Sequence, residues 1–178
     1  MGYYSYLGAQ LPYLVYGQNP PMSSSAFKAL AKEQLSGAHA ALLDSCTLDP
    51  DPERSSSTFI NRWKEWERTL RLGLAKNRAI KLKRDGGASF DAPELPPDAA
   101  LAAKNALAID SPLEAEIFLD KARWDAIDSF AGINIFHESA MYAYLLKLLI
   151  MERRMAFNTE EGFTEYKALY TAILGEAK

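Results

Sequence analysis

Few residues in this 178-residue chain have the chemistry for a reactive site: one cysteine, two histidines and scattered carboxylates. Asp120 stands out among them. Leu113, Ile117, Trp124 and Ile127 recur at helical steps, and Asp120 falls on the same apolar face. Burying a lone carboxylate costs on the order of several kcal/mol, so a base or a set of backbone donors has to meet it. Pairing with an arginine is the expected solution, and catalysis is the rival one. Glu114 and Glu116 lie near the start of the same helix, where its dipole favours acids, so they do not make an acid/base dyad with Asp120. His39 sits among alanines and His137 near the start of a long apolar helix. Neither has Cys, His or acid company at metal-ligand spacing, so both are read as core or boundary residues. Cys46, with no histidine in motif context, is read as a small packed apolar residue. No Gly-x-x-x-x-Gly-Lys phosphate loop occurs. These residues therefore predict no catalytic group, no metal and no cofactor, and the chain reads as a protein without enzymatic activity.

The densest chemistry is cationic. Between Arg62 and Arg84 there are nine bases against two acids, Glu65 and Glu67, although the whole chain carries a net charge of −3. An acidic chain is not a general nucleic-acid binder, so any basic function belongs to this patch alone. The same stretch is the longest helical pattern. Phe59, Trp63, Trp66, Leu70 and Leu74 fall within a stripe roughly 80° wide, which predicts a buried face. Leu72, Ala75, Ala79 and Leu82 lie opposite, with Gly73 at the changeover, so the helix is expected to be sandwiched between two partners or bent at its glycine. Asp51 followed by Pro52 fits its N-cap and first helical position. Acids near the start and bases near the end then match the dipole, and most of the cluster reads as a solvated face.

Around this spine the pattern predicts an all-α helical bundle of about six to seven helices. Residues 3 to 16 hold five tyrosines, no charge and a helix-breaking Pro12, which reads as a short packed segment. A serine among Ser23 to Ser25 caps a helix over about 25 to 35, and a second short helix follows Gly37. Residues 98 to 108 are alanine-rich. Ser111-Pro112-Leu113-Glu114 combines an N-cap, proline at N1 and a capping-box glutamate, opening a helix that runs to about Phe130. The helix from about His137 to Phe157 is apolar almost all round, and a final helix begins at Asn158 or Thr159 with Phe163, Tyr166, Tyr170 and Ile173 inward. Residues 86–98, rich in proline and glycine, read as a linker between an N-terminal unit (1–85) and a C-terminal unit (99–178), or as a loop on one packed domain. The most apolar run, Met141 to Met151, contains Lys147 and is shorter than the roughly 20 residues that span a bilayer. One cysteine and no basic leader point to a cytoplasmic location.

The two long helices echo each other. With Arg78 placed on Arg154, Leu72 meets Leu148 and Leu74 meets Ile150, so the chain has the pattern of two related helical units. Glu116-Ile117-Phe118-Leu119-Asp120-Lys121-Ala122-Arg123-Trp124 resembles the Glu-x-x-Leu-Asp-(Lys or Arg)-x-x-aromatic motif of the C (eukaryotic d) subunit of V-type and A-type ATPases. Tyr4-Ser5-Tyr6-Leu7-Gly8-Ala9 is similar to that family's opening Tyr-x-Tyr-x-x-Ala, and Asn77-Arg78 to its asparagine and arginine pair. Arg153-Arg154 stands where the second such pair would fall. The chain also resembles an uncharacterised bacterial family encoded beside V/A-type ATPase subunits. The resemblance implies a helical adaptor between the central stalk and the membrane ring, held peripherally at the inner membrane through the complex. Arg68, Arg71, Arg78, Asp120 and Arg154 are then candidates for partner contacts or internal ion pairs. The alternative is an independent helical protein that binds nucleic acid or a regulatory partner through residues 62–84.

Overall fold

The computed structural model describes residues 3–82 and 96–157. The expected linker up to residue 95, Lys83, Arg84 and the final helix from Asn158 onward lie outside these residues. Seven α-helices follow one another: α1 (Tyr3–Gln10), α2 (Ser24–Gln34), α3 (Gly37–Leu42), α4 (Thr58–Lys81), α5 (Pro97–Ala106), α6 (Pro112–Ala131) and α7 (Glu138–Met155). A single 3-10 turn, Leu43–Ser45, extends α3, and there is no strand among the described residues. The chain is thus all-α.

Local signals start several of these helices. Ser23 Oγ accepts the Ala26 N–H at the head of α2, and Ser111 Oγ accepts the Glu114 N–H at the head of α6. The head of α4 differs from expectation. Its cap is Ser57, whose side chain accepts from Ile60, and no acid lies in its first turn. Asp51 is held elsewhere, accepting the Glu53 N–H at 2.8 Å and pairing with Lys64 at 2.8 Å. An Asp-Pro turn satisfied by its own backbone and a distant lysine has no need to begin a helix.

α7 forms the axis. It contacts α1, α2, α4 and α6, and buries Tyr142, Leu145, Leu146, Leu148 and Ile150 completely. α4 packs chiefly on α5 and also on α6. Its apolar stripe is buried as the spacing predicts, with Trp63 and Trp66 stacked at 6.1 Å and 14°. Each indole N–H has a partner: Trp63 donates to Thr47 O and Trp66 to Asp98 Oδ2. Helices from both sides of the expected linker share one buried cluster, and Pro97 and Asp98, placed in that linker by sequence, open α5.

Gly73 lies within an unbroken α4, so the helix does not break at its glycine. A Cβ there would stand 2.9 Å from Ala103 Cβ. Ala99, Ala102, Ala103 and Ala106 form the buried face of α5, and their small side chains allow α4 that close an approach. The second apolar face expected on α4 is not sealed among the described residues, since Leu82 is 62% exposed and Leu72, Ala75 and Ala79 are only half-buried. On α6 the buried arc comprises Leu119, Asp120, Arg123, Trp124, Ala126 and Ile127, while Leu113 is exposed. That arc is rotated by roughly 60° from the expected stripe, because α4, α5 and α7 all pack on this helix and together cover a wider face than one partner would.

Gly73→Leu is expected to lower stability by about 1–3 kcal/mol through overpacking against Ala103. Gly37→Ala, where nothing lies within 4 Å, is expected to be neutral or to stabilise. Urea unfolding of both variants checks the contrast.

Candidate functional site

Asp120 is fully buried, and its Oδ1 receives two arginines. Arg123 reaches it through Nη1 at 3.4 Å from one turn further along α6. Arg153, near the end of α7, meets the same oxygen through Nη2, as an ion pair rather than a directional hydrogen bond. Arg123 also clasps Glu67 of α4 with two bonds, Nε to Oε2 at 2.9 Å and Nη2 to Oε1 at 3.0 Å. Glu67 is itself fully buried. Its Oε1 takes a third bond from Arg71 Nε at 2.8 Å, and Arg71 continues outward to Asp49 Oδ1 at 2.6 Å and Leu48 O at 2.7 Å. The result is an alternating chain, Asp49, Arg71, Glu67, Arg123, Asp120 and Arg153, running from the surface through the centre across three helices.

From sequence Glu67 is only counted with Glu65 as an acid within the basic stretch, and the structure buries it. The signal was present. At 100° per residue Glu67 lies roughly 20° beyond the edge of the tryptophan stripe, the same kind of placement that singled out Asp120. Arg123, three residues after Asp120 and on the side of α6 that faces α4, was also missed. An arginine is normally assigned to the surface, and only a carboxylate 56 positions away shows why this one is inside.

The other candidates separate into internal and exposed groups. Arg154 stacks over Tyr16 at 4.8 Å, with Lys121 5.7 Å from the same ring. Arg78, its counterpart in the echo, is exposed and has no hydrogen bond or ion pair with another described residue. Arg68 is also exposed, in an open groove of about 530 Å³ between the 50–54 loop and α4. Bases and acids alternate along that groove: Lys64 is tied to Asp51, while Glu53 and Glu65 stand near Arg54 and Arg68. Within the described part of the basic helix, Arg62 lies over the Phe130 ring at 4.7 Å.

The base-rich end of α7 is a fastening point. Glu152 accepts the Ser24 N–H at 2.6 Å and the Ser24 hydroxyl at 2.7 Å, capping α2, while the next two residues bind Asp120 and Tyr16. His137 caps α7, its Nδ1 accepting the Ser139 N–H, and half-buried His39 contacts the Tyr4 hydroxyl and Ser36. Cys46 is buried, and loss of hydration pushes its thiol up to about 12. Burial likewise raises the Tyr144 phenol to about 12. Among the described residues no group of three His, Cys, Asp or Glu side chains is arranged to hold a metal.

This geometry supports ion pairing and helix fastening. No family model, no curated protein and no solved structure matches the chain. The class that fold and site define is an all-α bundle clamped by a buried charge network.

Removing one partner from such a network leaves an uncompensated buried charge. Glu67→Ala and Asp120→Ala are each expected to cost about 3–5 kcal/mol in denaturant unfolding. Glu67→Ala/Arg123→Ala is expected to cost less than the two single losses added, which a double-mutant cycle measures. Cys46, protonated throughout the neutral range, is expected to react with a disulfide reagent at pH 8 only as fast as the protein opens.

Proposed function

We propose that this chain is a non-enzymatic helical subunit of a V/A-type ATPase, acting as an adaptor between the central stalk and the membrane ring. One observation carries the reading. The nine residues Glu116 to Trp124, which bear the resemblance to the C subunit, include Leu119, Asp120, Arg123 and Trp124, all buried on α6. Of the positions the motif specifies, Leu119, Asp120 and Trp124 are buried, and an inward-facing set of this kind is what a shared helical architecture would preserve. Asp120 in particular acts through Arg123 and Arg153.

In this reading Arg71 and Arg154 are internal, and Arg68 and Arg78 are the cations left for a partner. Charges at such a rim govern encounter rate and specificity more than affinity. No helix among the described residues is long and apolar enough to cross a membrane, so attachment at the inner membrane would run through the complex. The alternative of nucleic-acid or regulatory binding through 62–84 has fewer cations to work with, because Lys64 and Arg71 already serve Asp51, Asp49 and Glu67.

The test is affinity purification of the tagged chain from its own cells. Catalytic and stalk subunits of the ATPase are expected in the eluate, and their reproducible absence removes the proposal. Arg68→Glu/Arg78→Glu is expected to weaken that recovery and to leave the melting temperature unchanged.

A further inference from the structure

The longest stretch without a charged side chain is residues 1–27, and the turn between α6 and α7 adds a second, residues 129–136. The fold brings part of each together, Gly8 and Leu11 to Leu14 against the turn from Ala131 to Phe136. A Cβ on Gly8 would lie 3.1 Å from Ile135 O and 3.5 Å from the Phe136 ring, and Tyr144 donates to Pro12 O at 3.0 Å. Between them lies a groove of about 400 Å³ walled by Leu11, Pro12, Tyr13, Ala140 and Tyr144. Among the described residues the only charged ones lining it, Asp128 and Lys147, pair with each other. Beside the groove the turn carries Ile133, 99% exposed, with Ile135 at 59% and Phe136 at 45%, while Tyr13 at the groove edge is 90% exposed.

We propose that this face of the molecule is the interface of a homodimer, in which the Ile133 turn of each copy enters the groove of the other. Three observations select a second copy as the occupant. The first is area. At those exposures the four side chains present on the order of 600 Å². That is the upper bound of the largest patch on a typical monomer, about 300–600 Å². Counted on both copies it comes to about 1,200 Å², the lower end of a standard interface. The second is charge. A face that meets its own copy across a two-fold axis meets identical charges, and a charged face would repel itself. Among the described residues the two charges lining the groove cancel each other, and Glu138 beside the turn lies 3.5 Å from His137. The third is shape. A protruding turn and an apolar groove lie side by side on one surface, so a two-fold rotation can seat both turns at once. Gly132, at φ +70, gives the turn a backbone that L residues seldom adopt, and it projects Ile133 without enclosing it.

The dimer does not depend on the ATPase reading. Light scattering and sedimentation equilibrium of the full chain at about 50 µM are expected to give twice the 19.8 kDa chain mass. Ile133→Asp is expected to weaken association by about tenfold or more with an unchanged melting temperature, because each added carboxylate would be buried in the partner's groove. Ile133→Leu is expected to remain dimeric, as is Leu101→Asp, which alters an exposed apolar residue on α5. A monomer at that concentration overturns the proposal. So does a dimer that survives Ile133→Asp or is lost with Leu101→Asp. Co-sedimentation of a monomeric chain with phosphatidylcholine vesicles, abolished by Ile133→Asp, would assign the patch to a lipid surface and overturn it equally.

Discussion

Two carboxylates with no access to water, Glu67 and Asp120, set the terms on which this bundle can form. Neither can be left alone in an interior of low dielectric, and each lies on a helix whose apolar neighbours pull it inward. Arg123 answers both at once, bidentate to Glu67 and shared with Asp120. Its planar fork supplies the parallel donors that a lysine lacks. α4 and α6 must therefore pack in the register that aligns these groups, and Arg153 adds α7 to the same constraint. Apolar packing tolerates small slips, whereas a buried ion pair out of register leaves bare charge. Here the network specifies the arrangement of three helices more than it adds to their net stability.

The remainder of the fold accommodates that clamp. α5 meets α4 through alanines against Gly73, and Glu67, about 120° round α4 from that glycine, reaches Arg123 of α6. The end of α7 gathers α2 through Glu152 and the segment after α1 through Arg154 and Tyr16. Aromatic rings are used as partners for cations as well as for filling: Arg62 on Phe130, Lys147 on Trp124 and Arg154 on Tyr16. Much of the cationic character visible in the sequence is consumed inside the molecule in this way. Exposed among the described residues are Arg68, Arg78 and Lys81 on α4, and an apolar patch formed by the chain after α1 and the α6–α7 turn.

Residues whose role is decided within a turn or two of helix were legible in advance. The serines at 23 and 111, the proline at 112, the tryptophan stripe and the alanine content of α5 act through bonds and spacings of four residues or fewer, and each does what local geometry requires. Errors arose where a local pattern competed with a distant partner. Asp51-Pro52 has the form of a helix start, but Lys64 and the Glu53 amide claim the carboxylate. Leu113 shares a periodicity with Trp124 but is left exposed, because the helices packed on α6 bury an arc rotated from that stripe. Glu67 was hidden among nine bases, where an acid looks like surface charge balance.

The amino-acid order by itself determined that the chain is helical and which stripe of α4 faces inward, because both follow from the 3.6-residue repeat. It also determined that Asp120 needs a base, since the cost of burying a carboxylate does not depend on the fold. Only the tertiary structure decided which base, and which of the charged residues were interior at all. Glu67 and Arg123 are 56 positions apart and Ser24 and Glu152 are 128 apart, so no local spacing encodes either pair. The same holds for the apolar groove. Residues 8–14 and 131–136 are ordinary apolar segments in sequence, and they line one groove because α1 is packed against the turn into α7.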